Sequence, residues 1–217
     1  MILPNNVPRF GELHLYDNST ATVINVTEQY HFIQGLYTAG ACSGWTYAAG
    51  DLGNGNITTA AAGAAINIAE VGHGLVSGDI VNVQSANHTG TEVVTRVDDD
   101  NFTVPIAYVG DEAGYWQKPD CLVAGVGSAG YYKICFSASV KSAGANKEFK
   151  IEAVQNTTHL DETATQSVLV TAAAAEQMSS QSIILVAPGD QISLQVENLT
   201  DAADITFLHS NLSLIRI

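Results

Sequence analysis

The sequence is poor in charged side chains, and above all in basic ones. Lys and Arg number 8 against 22 Asp and Glu, so the formal net charge at pH 7 is −14. A chain with this net charge repels the phosphates of DNA and RNA, so we expect no nucleic-acid partner. Charged residues make up only 14% of the chain, whereas about 25% is typical of soluble domains. Because a monomer relies on surface charge for solubility, we expect part of the surface to be covered by further copies or by a partner.

Other absences exclude further classes of protein. No apolar run approaches the roughly 18 residues of a membrane-spanning helix. The segment Met1–Phe10 lacks the basic and apolar regions of a secretory signal. We therefore expect no membrane partner, and no secretory signal is visible. The three cysteines, Cys42, Cys121 and Cys135, are too few for a disulfide framework and are expected to be reduced.

Apolar and polar residues alternate along most of the chain, whereas helical periodicity is nearly absent. Tyr132, Ile134 and Phe136 share one face of a predicted strand, and Ile192 and Leu194 share one face of another. Such alternation places one face on a core and the other toward water or a neighbour. The sequence predicts an all-β protein whose main domain is a jelly-roll β-sandwich, built from residues 10–57 and 118–217. Residues 171–181, rich in Ala and Gln, are predicted to be a loop.

The very short strands predicted between residues 58 and 117 form a unit of their own. We predict a small β-barrel-like module inserted in the sandwich, with its two ends close together. It holds eight acidic residues and one basic residue, Arg96, which is half of the net charge of the chain. This acidity favours a knob that faces outward into solvent. Its predicted core contains Ile66, Ile68, Leu75, Val81, Val83, Val93, Val97, Phe102 and Trp116.

Several segments of the predicted sandwich resemble the strands of C1q/TNF-like jelly rolls. Residues 130–140 resemble the glycine-tyrosine strand of that family, and residues 186–196 resemble the strand that it enters through a glycine-aspartate pair. Residues 205–217 are similar to its last strands. The opening, residues 11–22, resembles the version found in virion proteins of tailed bacteriophages. The resemblance implies a homotrimer.

The inserted segment resembles a small β module that recurs in phage tail and capsid-surface proteins. The resemblance rests on residues 72–79, the Gly90-Thr91 turn, residues 98–104 and the pair Tyr115-Trp116. Where the module usually has an aromatic residue before the Gly-Thr turn, this chain has Asn-His-Thr at 87–89. Both resemblances together imply a virion protein of a tailed phage.

The sequence holds no recognisable catalytic constellation, so we expect a protein that is not an enzyme. Residues 125–130 spell GxGxxG, but a strand follows where a dinucleotide site needs a helix, so we predict a turn. The six histidines lack the spacing of metal ligands, and structural roles are expected. Asp98–Asp100 lacks the alternating ligands of an EF-hand and is predicted to be an acidic turn, with a cation shared between subunits left open. We therefore expect no catalytic residue, no cofactor and no resident metal.

These observations favour a non-enzymatic capsid decoration, or cement, protein. It would be made in the host cytoplasm, would form trimers, and would bind the major capsid protein on the surface of the phage head. Two alternatives remain open. One is a tail-fibre or tail-tip protein that recognises a host surface glycan, and the other is a C1q/TNF-like secreted binding protein.

Two groups of residues are candidates for contacts with other chains. The aromatic and apolar candidates near the trimer axis are Tyr131, Tyr132, Phe207 and Leu214. The arm Met1–Arg9 contains two prolines, which favour an extended backbone, and it is predicted to dock on a neighbour. The candidates for docking on the capsid or on a neighbouring chain are Ile2, Leu3, Val7, Arg9, Lys133 and Lys150.

Overall fold

The protein is all-β in the computed structural model, which describes residues 8–24, 27–60 and 65–217. Two antiparallel sheets form a sandwich, and a third, seven-stranded sheet forms a nearly closed barrel. This confirms the predicted sandwich with an inserted barrel-like module. Within the described ranges, the one helical element is the 3₁₀ turn Asp161–Thr163, and no helix there is long and apolar enough to cross a membrane.

Sheet A is the first layer of the sandwich and holds six strands. With strands numbered along the chain, they are β1 (Phe10–Leu15), β2 (Ala21–Thr22), β4 (Thr38–Ala39), β14 (Gly130–Ser142), β18 (Glu176–Val186) and β20 (Ile205–Arg216). The order is β18-β14-β20-β1-β4, with β2 beside β20. As its alternation predicts, β14 places Tyr132, Ile134 and Phe136 on the inner face, and Tyr131 and Lys133 on the outer face.

Sheet B is the second layer, and its inner face completes the main core. Its seven strands are β3 (Tyr30–Phe32), β5 (Trp45–Ala48), β13 (Cys121–Ala124), β15 (Lys147–Gln155), β16 (Thr158–His159), β17 (Thr165–Leu169) and β19 (Gln191–Asn198). The order is β16-β15-β19-β13-β5, with β17 beside β15 and β3 beside β19. Phe149 and Ile151 of β15 and Leu194 and Val196 of β19 belong to the same buried cluster as Tyr132 of sheet A. The two layers therefore share one hydrophobic core.

Sheet C forms the module and has a hydrophobic core of its own. Its strands are β6 (Asp51–Thr59), β7 (Ile66–Ala69), β8 (Ile80–Gln84), β9 (Thr89–Val93), β10 (Thr95–Arg96), β11 (Asn101–Val104) and β12 (Glu112–Lys118). The order is β10-β11-β7-β6-β12-β8-β9. Its first and last residues, Asp51 and Lys118, are partners in the β6–β12 ladder. The chain therefore enters and leaves the module at one place.

The predicted module core is wrong at two positions. Val93 and Val97 are exposed, whereas the neighbouring Val94 and Val104 are buried. The strand β9 ends at Val93, and the Val94 N–H donates to the Asp79 carbonyl (2.7 Å) beyond that end. Gly90 and Glu92 pair with the core residues Val83 and Val81, so the regular alternation turns Val93 outward and Val94 inward.

The prediction of a loop for residues 171–181 is also wrong in its second half. β18 begins at Glu176, which pairs with Val140 of β14. Met178 is buried while Gln177 and Ser179 are exposed, so the alternation is present. The small polar side chains conceal it in the sequence, and the strand forms because β14 offers a long ladder to pair with.

Polar side chains join the module to the outer face of sheet B. The Phe32 N–H donates to Gln117 Oε1 (3.0 Å), and Gln34 Nε2 donates to the Tyr115 hydroxyl (2.7 Å). The amide of Gln195, a residue that points away from the main core, donates to Thr91 Oγ1 (3.2 Å). Module and sandwich are thus held together by hydrogen bonds between two separate cores.

One buried hydroxyl in the sandwich core provides a stability test. Within the described chain the Tyr132 hydroxyl has no hydrogen-bond partner, and neither has the indole N–H of Trp45, whose ring lies edge-on at 5.3 Å. An unpaired buried polar group costs about 1–3 kcal/mol. We predict that Tyr132→Phe raises the free energy of unfolding by about 1 kcal/mol in urea denaturation.

The control for this substitution is Tyr132→Ala. It leaves a cavity in the core and should lower the free energy of unfolding by about 3–5 kcal/mol. A loss of stability in Tyr132→Phe would show that the hydroxyl has a partner in solution.

Candidate functional site

An exposed apolar surface lies at one end of the outer face of sheet A. It is called here the apolar end, and its members are Tyr131, Ile183, Leu185, Ile215 and Ile217. Each of these five residues keeps between 56% and 66% of its surface exposed. A contiguous apolar surface on a soluble protein commonly marks a binding site.

The strand register explains why these side chains are contiguous. Tyr131 pairs with Leu185, and Lys133 pairs with Ile183 on one side and Ile215 on the other. The Ile217 N–H donates to the Tyr131 carbonyl (3.0 Å), which adds Ile217 to the Tyr131 row. Neighbouring strands lie about 4.8 Å apart, so the two rows form one surface. A groove of about 600 Å³ runs over it beside Lys133, Ile183 and Ile217.

The rest of the same face carries few charged side chains, of which Glu12 opposite Ser213 is one. Cys135 pairs with Ser213, and Ser137 pairs with Asn211, so small polar residues fill the middle of the sheet. At the far end the Tyr16 ring stacks on His14 at 5.5 Å. Interface cores are likewise depleted of charge and enriched in aromatic residues. The whole outer face of sheet A is therefore suited to contact with another protein.

Of the four residues predicted near a trimer axis, only Tyr131 lies on the surface. Tyr132, Phe207 and Leu214 have no exposed surface and belong to the sandwich core. The two-residue period of β14 and β20 turns them inward, so their side chains are unavailable to another chain. The prediction that these three side chains contact another chain is therefore corrected.

The predicted docking residues are scattered over the molecule. Lys133 is exposed and lies within the apolar end. Lys150 lies on sheet B, where its ammonium is 3.6 Å from both Glu152 Oε2 and Glu197 Oε2 and 4.8 Å from the centre of the Tyr30 ring. Its charge is therefore balanced inside its own chain.

The remaining docking candidates concern the N-terminal arm. Arg9 is half-buried, and its carbonyl accepts a hydrogen bond from the Arg216 N–H (2.9 Å). Ile2, Leu3 and Val7 lie outside the described residues. Their docking on a neighbour stays a prediction.

Sequence reasoning missed Ile183, Leu185, Ile215 and Ile217. Residues 183–186 read Ile-Ile-Leu-Val, and in such a run alternation cannot tell the inner face from the outer one. The run itself was the available signal, because an uninterrupted apolar strand is typical of a strand covered on both faces. Only one face of β18 meets the sandwich core, so the apolar side chains of the other face are exposed.

Ser85, His88 and Glu112 combine the residue types of a catalytic triad, but their hydrogen bonds are structural. His88 is fully buried, with Nδ1 bonded to the Glu112 carboxylate and Nε2 accepting from the Val109 N–H (2.9 Å). The Ser85 hydroxyl donates to the same carboxylate (2.5 Å) and not to the imidazole. A nucleophile needs a base within hydrogen-bond reach, so this group instead fastens the segment before β12 to the β8–β9 turn.

The described residues contain no group of three or more His, Cys, Asp or Glu side chains arranged to hold a metal ion. Asp98 accepts hydrogen bonds from Asn101 Nδ2 (3.0 Å) and the Asp100 N–H (2.8 Å), which lower its pKa and close the predicted turn. His73 accepts from the Leu75 N–H (3.0 Å) and bonds the Asp98 carbonyl (3.1 Å). His73 therefore has the structural role that the sequence predicts for the histidines.

No protein-family model matches the chain, and no curated protein matches it either.

The Glu112 carboxylate should stabilise the module. Burial alone would raise its pKa, but hydrogen bonds from Ser85, His88 and Asn87 outweigh burial and lower it. A lowered pKa stabilises the fold at neutral pH, and this contribution is lost as the pH falls through the acidic range. We predict that Glu112→Ala lowers the free energy of unfolding by about 1–3 kcal/mol at neutral pH, because buried donors lose their acceptor.

Urea denaturation in neutral and acidic buffer tests this prediction. The difference from the parent chain should shrink in acid. Glu162→Ala, at an exposed acid of the sandwich, is the control and should change little. An equal loss in both variants would contradict the structural role of Glu112.

Proposed function

We propose that the protein is a non-enzymatic structural component of a tailed-phage virion, and that it acts as a homotrimeric decoration protein on the capsid. The observation that carries the proposal is the apolar end of sheet A. Burying a large apolar side chain is worth about 1.5–3 kcal/mol. Burial of the five half-exposed residues of the apolar end would therefore contribute on the order of 5 kcal/mol of association free energy per subunit, before the cost of association is subtracted.

Other features support the location and the number of subunits. The resemblance to C1q/TNF-like jelly rolls of phage virions implies three copies, and we propose that the sandwich is such a jelly roll. The low charge fraction of 14% fits a protein that buries much of its surface. Its role would be mechanical: it would bind the major capsid protein, bridge neighbouring subunits and resist the internal pressure of DNA.

A tail-fibre or tail-tip protein that recognises a host surface glycan is the second candidate. A polar cleft between sandwich and module, lined by Tyr30, Asn82, Thr89 and His159 among others, favours it. Such a cleft is suited to a small hydroxyl-bearing ligand.

The apolar end should control self-association. Ile183 and Ile215 flank Lys133, so replacing both by Glu places two acids beside one base and leaves uncompensated charge in the contact. We predict that light scattering gives about three chain masses for the parent protein and one for Ile183→Glu/Ile215→Glu.

Leu36→Glu is the matched control, because Leu36 is 90% exposed and lies outside sheet A. It should keep the parent mass. A parent protein of one chain mass, or a double variant of three, would contradict the proposed interface.

The module should be dispensable for the sandwich. Asp51 and Lys118 are ladder partners, so a short Gly/Ser linker in place of residues 52–117 closes the chain at little entropic cost. We predict a folded chain that still trimerises, with lower stability because Phe32 loses its cover. Circular dichroism and light scattering measure both properties. Failure of the shortened chain to fold or to trimerise would show that the module is required for folding or assembly.

A further inference from the structure

A polar cleft of about 180 Å³ lies between β3 of the sandwich and β8 and β9 of the module. Among its lining residues are Gln29, Tyr30, Asn82, Thr89, Thr91 and His159. The rings of Tyr30 and His159 lie 4.3 Å apart and form one wall, and threonine hydroxyls lie on the module side. Junctions between two folded units are common positions for small-molecule sites.

Three oxygen atoms at this cleft lack hydrogen-bond partners within the described part of the chain. They are Gln29 Oε1 in the lining, and Glu152 Oε2 and Gln195 Oε1 directly behind it. Glu152 and Gln195 are fully buried cross-strand neighbours on the outer face of sheet B. All three atoms are acceptors, and because Glu152 Oε2 lies 3.6 Å from the Lys150 ammonium, the two amide oxygens are the ones left without a donor. Each buried acceptor left unpaired costs about 1–3 kcal/mol.

The buried pair is connected to the cleft wall. His159 Nδ1 bonds Glu152 Oε1 (2.5 Å), and Gln195 Nε2 donates to Thr91 Oγ1 (3.2 Å). The buried pair therefore orients His159 and Thr91, which line the cleft and would face a ligand there. Without one, the acceptors require water.

The charge around the cleft selects against anions and metal ions. Glu28 lines it, and Glu152 and Glu197 lie behind it, against the single ammonium of Lys150. Burial and the charges of these two buried acids raise the pKa of the Tyr30 hydroxyl, which therefore stays protonated. An anionic ligand would be repelled by the carboxylates, and the position of a cation between Glu152 and Glu197 is already taken by the Lys150 ammonium.

We propose that this cleft binds one ring of a neutral saccharide. Hydroxyl groups of the sugar supply the missing donors, while a C–H face of the ring packs against the Tyr30 and His159 wall. The inference names the ligand class of the second candidate function, on which it rests, and it requires no trimer.

Amide chemical-shift mapping on the full chain tests the site. The probes are methyl glucoside, methyl galactoside and N-acetylglucosamine, with glucuronate and calcium chloride as charged comparisons. At least one neutral sugar should shift the amides of Tyr30, Thr89–Thr91 and His159 with millimolar affinity. If no neutral sugar shifts these amides, the cleft holds water only and the proposal fails. A stronger response to glucuronate or calcium would also overturn it.

Two substitutions test the residues. Gln29→Leu removes the lining acceptor, and Thr89→Val removes a hydroxyl at nearly constant volume; each should weaken sugar binding tenfold or more. Thr95→Val, an exposed position on β10 outside the cleft, is the matched control and should bind like the parent. Unchanged binding in both cleft variants, with native spectra, would overturn the assignment.

Light scattering on the same samples separates this inference from the capsid proposal. Sugar binding by a protein of one chain mass would support the proposed cleft and contradict the proposed trimer. A trimer that binds no sugar would support the proposed trimer and contradict the proposed sugar site.

Discussion

The pairing of β14 with β18 and β20 is the interaction on which the rest of the structure depends. It is a three-stranded ladder along most of sheet A, and it fixes the direction of every side chain on these strands. Tyr132 and Ile134 are held against sheet B, and Tyr131 is therefore held outward. The main core and the apolar end are two consequences of one register, because a shift by one residue would exchange them.

The module depends on a second ladder, between β6 and β12, which brings Asp51 and Lys118 together. This arrangement lets a unit with its own core sit within the sandwich sequence without disturbing the main core. Its contact with sheet B is made by amides and hydroxyls, of which Gln117, Gln195 and Thr91 are examples. A polar junction of this kind leaves unsatisfied oxygens at its margin, and the cleft lies there.

Alternation in the sequence predicted the fold class and much of both cores, because a two-residue period is a local property of the chain. Prediction failed where non-local contacts decide the outcome. The register of β9 with β8 turns Val94 inward in place of Val93, and Glu176–Gln181 becomes a strand only beside β14. The apolar end also depends on register between distant strands, although the run at 183–186 pointed to it. Glu152 and His159 meet in the local β15–β16 hairpin, but no sequence signal shows that the module docks beside them.

Hydroxyl-radical footprinting of the intact protein tests the central claim most directly, since it reports the solvent exposure of individual side chains. Tyr131, Ile183, Leu185 and Ile215 are exposed in a single chain, as are the reference residues Leu36 and Val71 away from sheet A. Each labelling rate is divided by the rate of the same residue in the unfolded chain. We predict that the first four residues are strongly protected from labelling and that the two reference residues are not. Labelling of all six at similar scaled rates would contradict an interface on the outer face of sheet A.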